Sequence, residues 1–254
     1  MFNSTRLGAI KRLIVAIAVA ATAVWFPVRI HEAAQLPPVP VRYVPTAQKV
    51  VALTYDDGPH PTFTPELLRI LRRYQVHATF FVIGNRAAQF PEIVRESAME
   101  GHVIANHTYT HPNNLEYLPI PRITEELDST QRLIKNLTGR AYKLFRPPKG
   151  RVNRRLAEIA QSEGYTVVLW WVSADHHEAK TPEEMAERVA KRIRPGAVVL
   201  MHDGRFPMRW RDVAATPLII RELRKKGYRF VTVPELLLSC GNDRLHRPYK
   251  AARR

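Results

Sequence analysis

Short apolar runs alternate with amphipathic stretches along most of the chain. Seven runs read as strands: VVALTY (50–55), ATFFVI (78–83), HVIAN (102–106), KLFRPP (143–148), YTVVLWWV (165–172), AVVLMHDG (197–204, running into a loop) and YRFVTV (228–233). The stretches between them read as helices. Thr64-Pro65-Glu66 opens the first with an N-cap, a proline at the first helical position and an acid in the first turn. Residues 91–100 form the next and stop at Gly101; a long helix follows from Ile123, with Gly139 beyond its end. Residues 151–163 end at Gly164, and Thr181-Pro182-Glu183-Glu184 is a capping box opening a helix to about Ile193. Residues 213–226 form the last. Seven strands alternating with helices predict an α/β fold with parallel strands, closed or nearly closed.

The ends depart from this pattern. Arg6, Lys11 and Arg12 precede the uncharged run at 13–28, which fits a secretory signal or a short membrane anchor. The best cleavage position lies near Ala33–Ala34; Trp25 and Phe26 suit an interfacial belt, and the basic flank predicts an N-terminus on the cytoplasmic side. Four prolines within 35–45 predict a stiff, extended spacer rather than a core element. The expected organisation is therefore a signal or anchor at 1–34, a spacer at 35–48, one folded domain at 49–240 and a solvated basic tail at 241–254.

Composition narrows the chemistry. Lys and Arg number 39 against 23 Asp and Glu, a formal charge of +16, so anionic partners are favoured: lipid headgroups, acidic wall polymers or nucleic acid. No recognition helix, zinc finger or RNA-binding signature accompanies the charge, and nucleic acid is set aside. Cys240 is the only cysteine, so no disulfide forms within the chain and any metal must be held by histidine and carboxylate.

Polar residues collect where the strands end. Asp56-Asp57, His107, Arg146 and His202-Asp203 all lie just past the C-terminal ends of expected strands, the rim where barrels of this class build function. Adjacent aspartates on an extended segment point different ways, so one can bind a cation while the other faces a water. His107 and His111, four apart, can reach one ion from a turn; with a carboxylate they leave a coordination position free, as in catalytic zinc sites. Arg146 on the rigid Pro147-Pro148-Lys149-Gly150 loop can hold a carboxylate, and His202 can serve as a general acid.

These segments together resemble the polysaccharide deacetylase family (the NodB-homology, carbohydrate esterase family 4 group) over about 49–233. Thr54-Tyr55-Asp56-Asp57-Gly58 resembles its first motif, His107-Thr108-x-x-His111 its second, Arg146-x-Pro148-x-Gly150 its third and Leu200-Met201-His202 its fifth. The resemblance implies a distorted (β/α) barrel of about seven strands, and removal of acetate from N-acetylated sugars, with peptidoglycan or chitin-like oligomers as substrate. It implies that Asp57, His107 and His111 bind a divalent metal, usually zinc, with cobalt, manganese or nickel as other options. Asp56 is then the general base, His202 the acid that protonates the departing amine, and Arg146 the residue that orients Asp56. Lys149, through its backbone N–H, and Tyr55 fall on the oxyanion and substrate side. The family usually has an aromatic residue where this chain has Lys149. Its fourth motif usually ends Asp-Trp, and here Asp175 or His176 stands at the aspartate that steadies the acid histidine. An O-acetyl esterase and a non-catalytic glycan-binding protein are the alternatives. A monomer outside the cytoplasmic membrane is expected.

Overall fold

The computed structural model describes residues 39–175 and 179–239; the leader, the basic tail and His176 lie outside them. Eight strands and eight α-helices alternate: β1 (Val50–Asp56), α1 (Phe63–Arg73), β2 (Thr79–Val82), α2 (Gly84–Gln89), α3 (Pro91–Met99), β3 (Val103–Asn106), α4 (Ile120–Thr138), β4 (Leu144–Phe145), α5 (Arg154–Ser162), β5 (Thr166–Val167), β6 (Val172–Ser173), α6 (Pro182–Arg192), β7 (Ala197–His202), α7 (Trp210–Lys225), β8 (Arg229–Phe230) and α8 (Val233–Leu238). Seven strands form one parallel path in the order β5-β4-β3-β2-β1-β7-β6, and the short β8 pairs with the start of β1. No described helix is long and apolar enough to cross a membrane.

β1 is the axis of this sheet and is buried at every position, as a parallel strand covered on both faces must be. Its side chains alternate. Val51, Leu53 and Tyr55 pack outward with Leu67 and Leu71 of α1 and Ile219 of α7. Val50 and Ala52 turn the other way, onto Phe81, Ala105, Val198 and, from α8, Val233 and Leu236. That alternation carries Thr54 and Asp56 to the inner face and Tyr55 to the outer one.

Four local expectations need correction. The run at 165–172 is not one strand: β5 pairs with β4 at one edge of the sheet, and β6 pairs with β7 at the other. The chain crosses between edges there, so Val168–Trp171 cannot stay in either ladder. The expected spacer helps fill that gap. The Val41 N–H donates to the Val167 carbonyl and the Leu169 N–H to the Val41 carbonyl, both at 2.8 Å, while Tyr43 bridges Ala197 and Val44 is buried. The last expected strand shrinks to Arg229–Phe230, because Thr232 and Glu235 form a capping box that starts α8. Finally, α1 begins at Phe63, two residues before the expected first helical position at Pro65, so Thr64 lies within the helix and its hydroxyl reaches Asp203 at 2.6 Å. The capping box at Thr181 and Glu184 forms as read, and Gly139 ends α4 with φ +69°.

Candidate active site

The register of the sheet assembles the site. Across β1, Asp56 sits opposite His202 on β7 and Phe81 on β2; Val82 faces Asn106, which in turn faces Phe145. Asp57, His107 and Arg146 each follow the last residue of a strand, so aligned strand ends bring them to one level. Backbone strain concentrates here. Of the six described non-glycine residues with positive φ, five surround the site: Asp57, Thr108, His111, Lys149 and Arg205. Close packing demands glycine twice. A Cβ on Gly204 would lie 2.0 Å from the Asp57 carbonyl oxygen, and one on Gly150 would lie 2.4 Å from the Trp170 ring.

Asp57 and the two histidines face one another. The Asp57 Oδ1 lies 3.5 Å from His107 Nε2 and 3.4 Å from His111 Nε2, and all three residues are buried. The His107 Nδ1 donates to the Arg146 carbonyl at 2.7 Å, so the neutral ring would offer its Nε2 lone pair to a cation. Four ligands arranged tetrahedrally about a zinc ion at ~2.0–2.1 Å stand about 3.3 Å apart, so the donor spacing suits such an ion. The segment carrying the histidines is pinned by Glu126 of α4, which accepts the Tyr109 and Thr110 N–H groups at 2.8 Å and the Thr110 hydroxyl at 2.6 Å. Burial opposes ionisation of Asp57, but the facing His107 and the other nearby imidazoles outweigh it and hold its carboxyl well below the usual carboxylate range.

Asp56 turns to the opposite partner. Its Oδ1 accepts from the Arg146 guanidinium at 2.6 Å, and its Oδ2 lies 3.9 Å from His107 Nε2. Arg146 is fully buried and makes four hydrogen bonds: Nε donates to the Val168 carbonyl, one terminal nitrogen to the Leu169 carbonyl, and the other to Thr54 Oγ1 as well as Asp56. Those two carbonyls belong to the crossover between β5 and β6. One guanidinium therefore closes the barrel gap and holds the carboxylate. Its plane lies over the Phe81 ring, 4.0 Å from the centroid.

On the far side of the cavity, His202 Nδ1 lies 3.1 Å from Asp175 Oδ2, an ion-pair contact whose ring N–H is not aligned well enough to be a hydrogen bond. Burial pulls the imidazole down, but the adjacent Asp175 carboxylate outweighs it and raises His202 above its ordinary value. Asp175, one of the two fourth-motif candidates, lies beside His202; the other, His176, falls outside the described residues. Arg209 also contacts Asp175 and lies 3.6 Å from Asp212, whose Oδ1 accepts the His202 backbone N–H at 3.0 Å. Asp175, His202 and Asp212 bring ligand atoms close together, but Arg209 makes this an ion-pair network.

A cavity of ≈ 240 Å³ joins these parts, lined by Asp56, Asp57, His107, His111, Lys149, Trp170, His202, Arg205, Phe206 and Arg209 among others. Tyr55 is absent from it. Facing the outer helices, the ring is fully buried, stacks on Phe80 and pairs its hydroxyl with Thr216 at 3.0 Å, so the expectation that it meets substrate is overturned. Trp170 lines the cavity, whereas Trp171 packs on Tyr43. Glu126, Arg209 and Asp212 were not singled out in the sequence. Glu126 sits inside the ordinary pattern of α4, Arg209 and Asp212 lie at the start of α7, ahead of the helix the sequence predicts, and nothing local distinguishes them. Asp203 was noted only as a strand-end acid. Buried against Thr64, it is pushed up to about 7, by burial first and then by the Asp57 and Asp56 charges.

The polysaccharide deacetylase family model matches residues 43–168. A peptidoglycan-N-acetylglucosamine deacetylase of Bacillus cereus is 40% identical over 199 residues, 76% of this chain and 91% of that protein. This chain belongs to the polysaccharide deacetylase family. Solved structures of polysaccharide deacetylases carry the same fold. A peptidoglycan N-acetylglucosamine deacetylase in complex with 4-naphthalen-1-yl-N-oxidanyl-benzamide is 36% identical with a TM-score of 0.73, covering 77% of this chain and 91% of the other. A carbohydrate esterase family 4 pseudoenzyme from Bacillus anthracis is 29% identical with a TM-score of 0.72, covering 80% of this chain and 70% of the other. The half-barrel of parallel strands is that of these deacetylase structures.

Proposed function

We propose that this protein is a metal-dependent N-deacetylase of N-acetylated cell-wall glycan, working outside the cytoplasmic membrane. One observation carries the reading: the Asp57 carboxylate and two imidazole nitrogens face one another at ion-binding spacing, with Asp56 on one side and His202 on the other. The name of the Bacillus cereus relative supports the substrate class. The benzamide bound to the solved relative is a hydroxamic acid, a chelating group for divalent metals. The basic, then apolar, N-terminal sequence supports the location.

Asp57, His107 and His111 would hold the cation. When bound, such an ion acidifies water and polarises an acyl carbonyl. The chain's own groups do the rest. Asp56, held by Arg146, accepts the proton of the attacking water. Buried Arg146 fixes that carboxylate in one orientation, so little reorganisation accompanies the proton transfer. His202, kept protonated by Asp175, gives its proton to the departing amine. The left-handed backbone at Lys149 places the third-motif loop at the cavity edge, where its N–H can meet the developing oxyanion.

The test is acetate release, followed by mass spectrometry, from N-acetylglucosamine oligomers, peptidoglycan fragments and an O-acetylated xylan, using zinc-loaded protein. N-acetyl substrates should be cleaved. Asp56→Asn should lose about 100-fold or more in turnover while retaining metal. Acetate from the ester alone would make the protein an esterase. Glycan binding with no acetate from any substrate would place it with the pseudoenzyme relatives.

A further inference from the structure

The charges around the cavity pair off, with two exceptions. Asp56 is held by Arg146, Asp57 faces two imidazoles, and Arg209 lies between Asp175 and Asp212. Lys149 and Arg205 line the same cavity, and neither meets a carboxylate among the described residues, although the Arg205 guanidinium donates to the His111 ring at 2.6 Å. Both side chains are exposed, and both backbones are left-handed, at φ +57° and +66°, where glycine or asparagine is the easier choice. The neighbouring Phe206 is half exposed, with the Arg205 and Arg209 guanidinium carbons 5.3 Å and 5.8 Å from its ring centre. An open aromatic face beside two cations that no carboxylate neutralises can take a sugar ring on one part and an anionic substituent on the other.

We propose that Lys149 and Arg205 select a glycan bearing a carboxylate over a neutral one. The inference rests on the deacetylase reading above, because the cavity is taken as the seat of the acetylated sugar. The carboxylate can come from an acid substituent on a sugar or from an attached peptide.

Binding is measured by calorimetry with zinc-loaded Asp56→Asn protein, which holds substrate without turning it over. The ligands are neutral N-acetylglucosamine oligomers, peptide-free peptidoglycan strands with free ether-linked lactate carboxylates, and strands whose lactate is amide-bonded to a peptide bearing its own carboxylates. At least one anionic ligand should bind about tenfold more tightly than the neutral oligomer. Preference for the peptide-free strand identifies the sugar carboxylate, and preference for the peptide-bearing strand identifies the peptide. Lys149→Gln and Arg205→Gln should each remove most of that preference, Lys149→Arg should keep it, and added salt should erode it. Equal binding of all three ligands, or variants that weaken all three in parallel, overturns the proposal. Acetate release by the unmutated protein is assayed separately. Turnover without a binding preference sinks only this inference, and a binding preference without turnover sinks only the catalytic reading.

Discussion

Arg146→Ala probes the link between barrel closure and catalysis. The substitution strips the partner from Asp56, which is 3% exposed, and removes the donors to the Val168 and Leu169 carbonyls where the chain crosses the sheet gap. Removing one partner of a buried ion pair costs about 3–5 kcal/mol. Each buried carbonyl left without a donor costs about 1–3 kcal/mol, less if water enters the space vacated by the side chain. A loss of about 5 kcal/mol is expected, a large share of the ~5–15 kcal/mol total typical of a domain. At ~2–4 °C per kcal/mol for a domain of this size, the midpoint should fall by about 10–20 °C. The double-mutant cycle with Asp56→Asn isolates the pair. Neutralising Asp56 removes the stranded charge, so the double variant should be about 3 kcal/mol more stable than the two single losses would sum to. Urea unfolding, with the slope checked for constancy, provides the numbers. Additivity within about 0.5 kcal/mol would show that Arg146 serves the crossover carbonyls alone and that Asp56 does not depend on it.

Other expectations follow from the remaining contacts. His107→Ala should weaken zinc binding about 100-fold or more, read by competitive chelator titration; unchanged metal content would remove His107 from the ligand set. Asp175→Asn should move the alkaline limb of the rate profile to lower pH. The Asp175 carboxylate raises His202 and so keeps it protonated to higher pH, and removing that charge lets the imidazole lose its proton sooner. A limb that stays in place would detach Asp175 from the acid. In metal-free protein, Asp203→Asn should be more stabilising at pH 8 than at pH 5. Asp203 is pushed from an ordinary 3.8 up to about 7 in the fold, so the native state keeps a proton that the unfolded chain releases. Its contribution therefore falls as pH rises through that window, and asparagine does not titrate. Thermal melts at the two pH values, with wild type as reference, check the sign.

Strands β1, β2, β3 and β7 were legible in the sequence because buried parallel strands are unbroken apolar runs, and α3, α4 and α6 because caps and glycine stops are local signals. Another such signal was passed over: Thr232, Pro234 and Glu235 spell the start of α8, although the run read as a strand. The metal-binding candidates were legible because each directly follows a strand or shares one turn with such a residue. Longer-range pairing decided the rest. Which face of β1 turns inward was settled by the helices packed against it, and that sent Tyr55 to the core and Asp56 to the cavity. The run at 165–172 had to break because its two ends pair with opposite edges of one sheet, an outcome no local window contains. Glu126, Arg209 and Asp212 enter the site only because helix packing carries them there. Residue type and period are local properties of a chain. The closure of a sheet, and the partner a buried charge finds, exist only once distant segments meet.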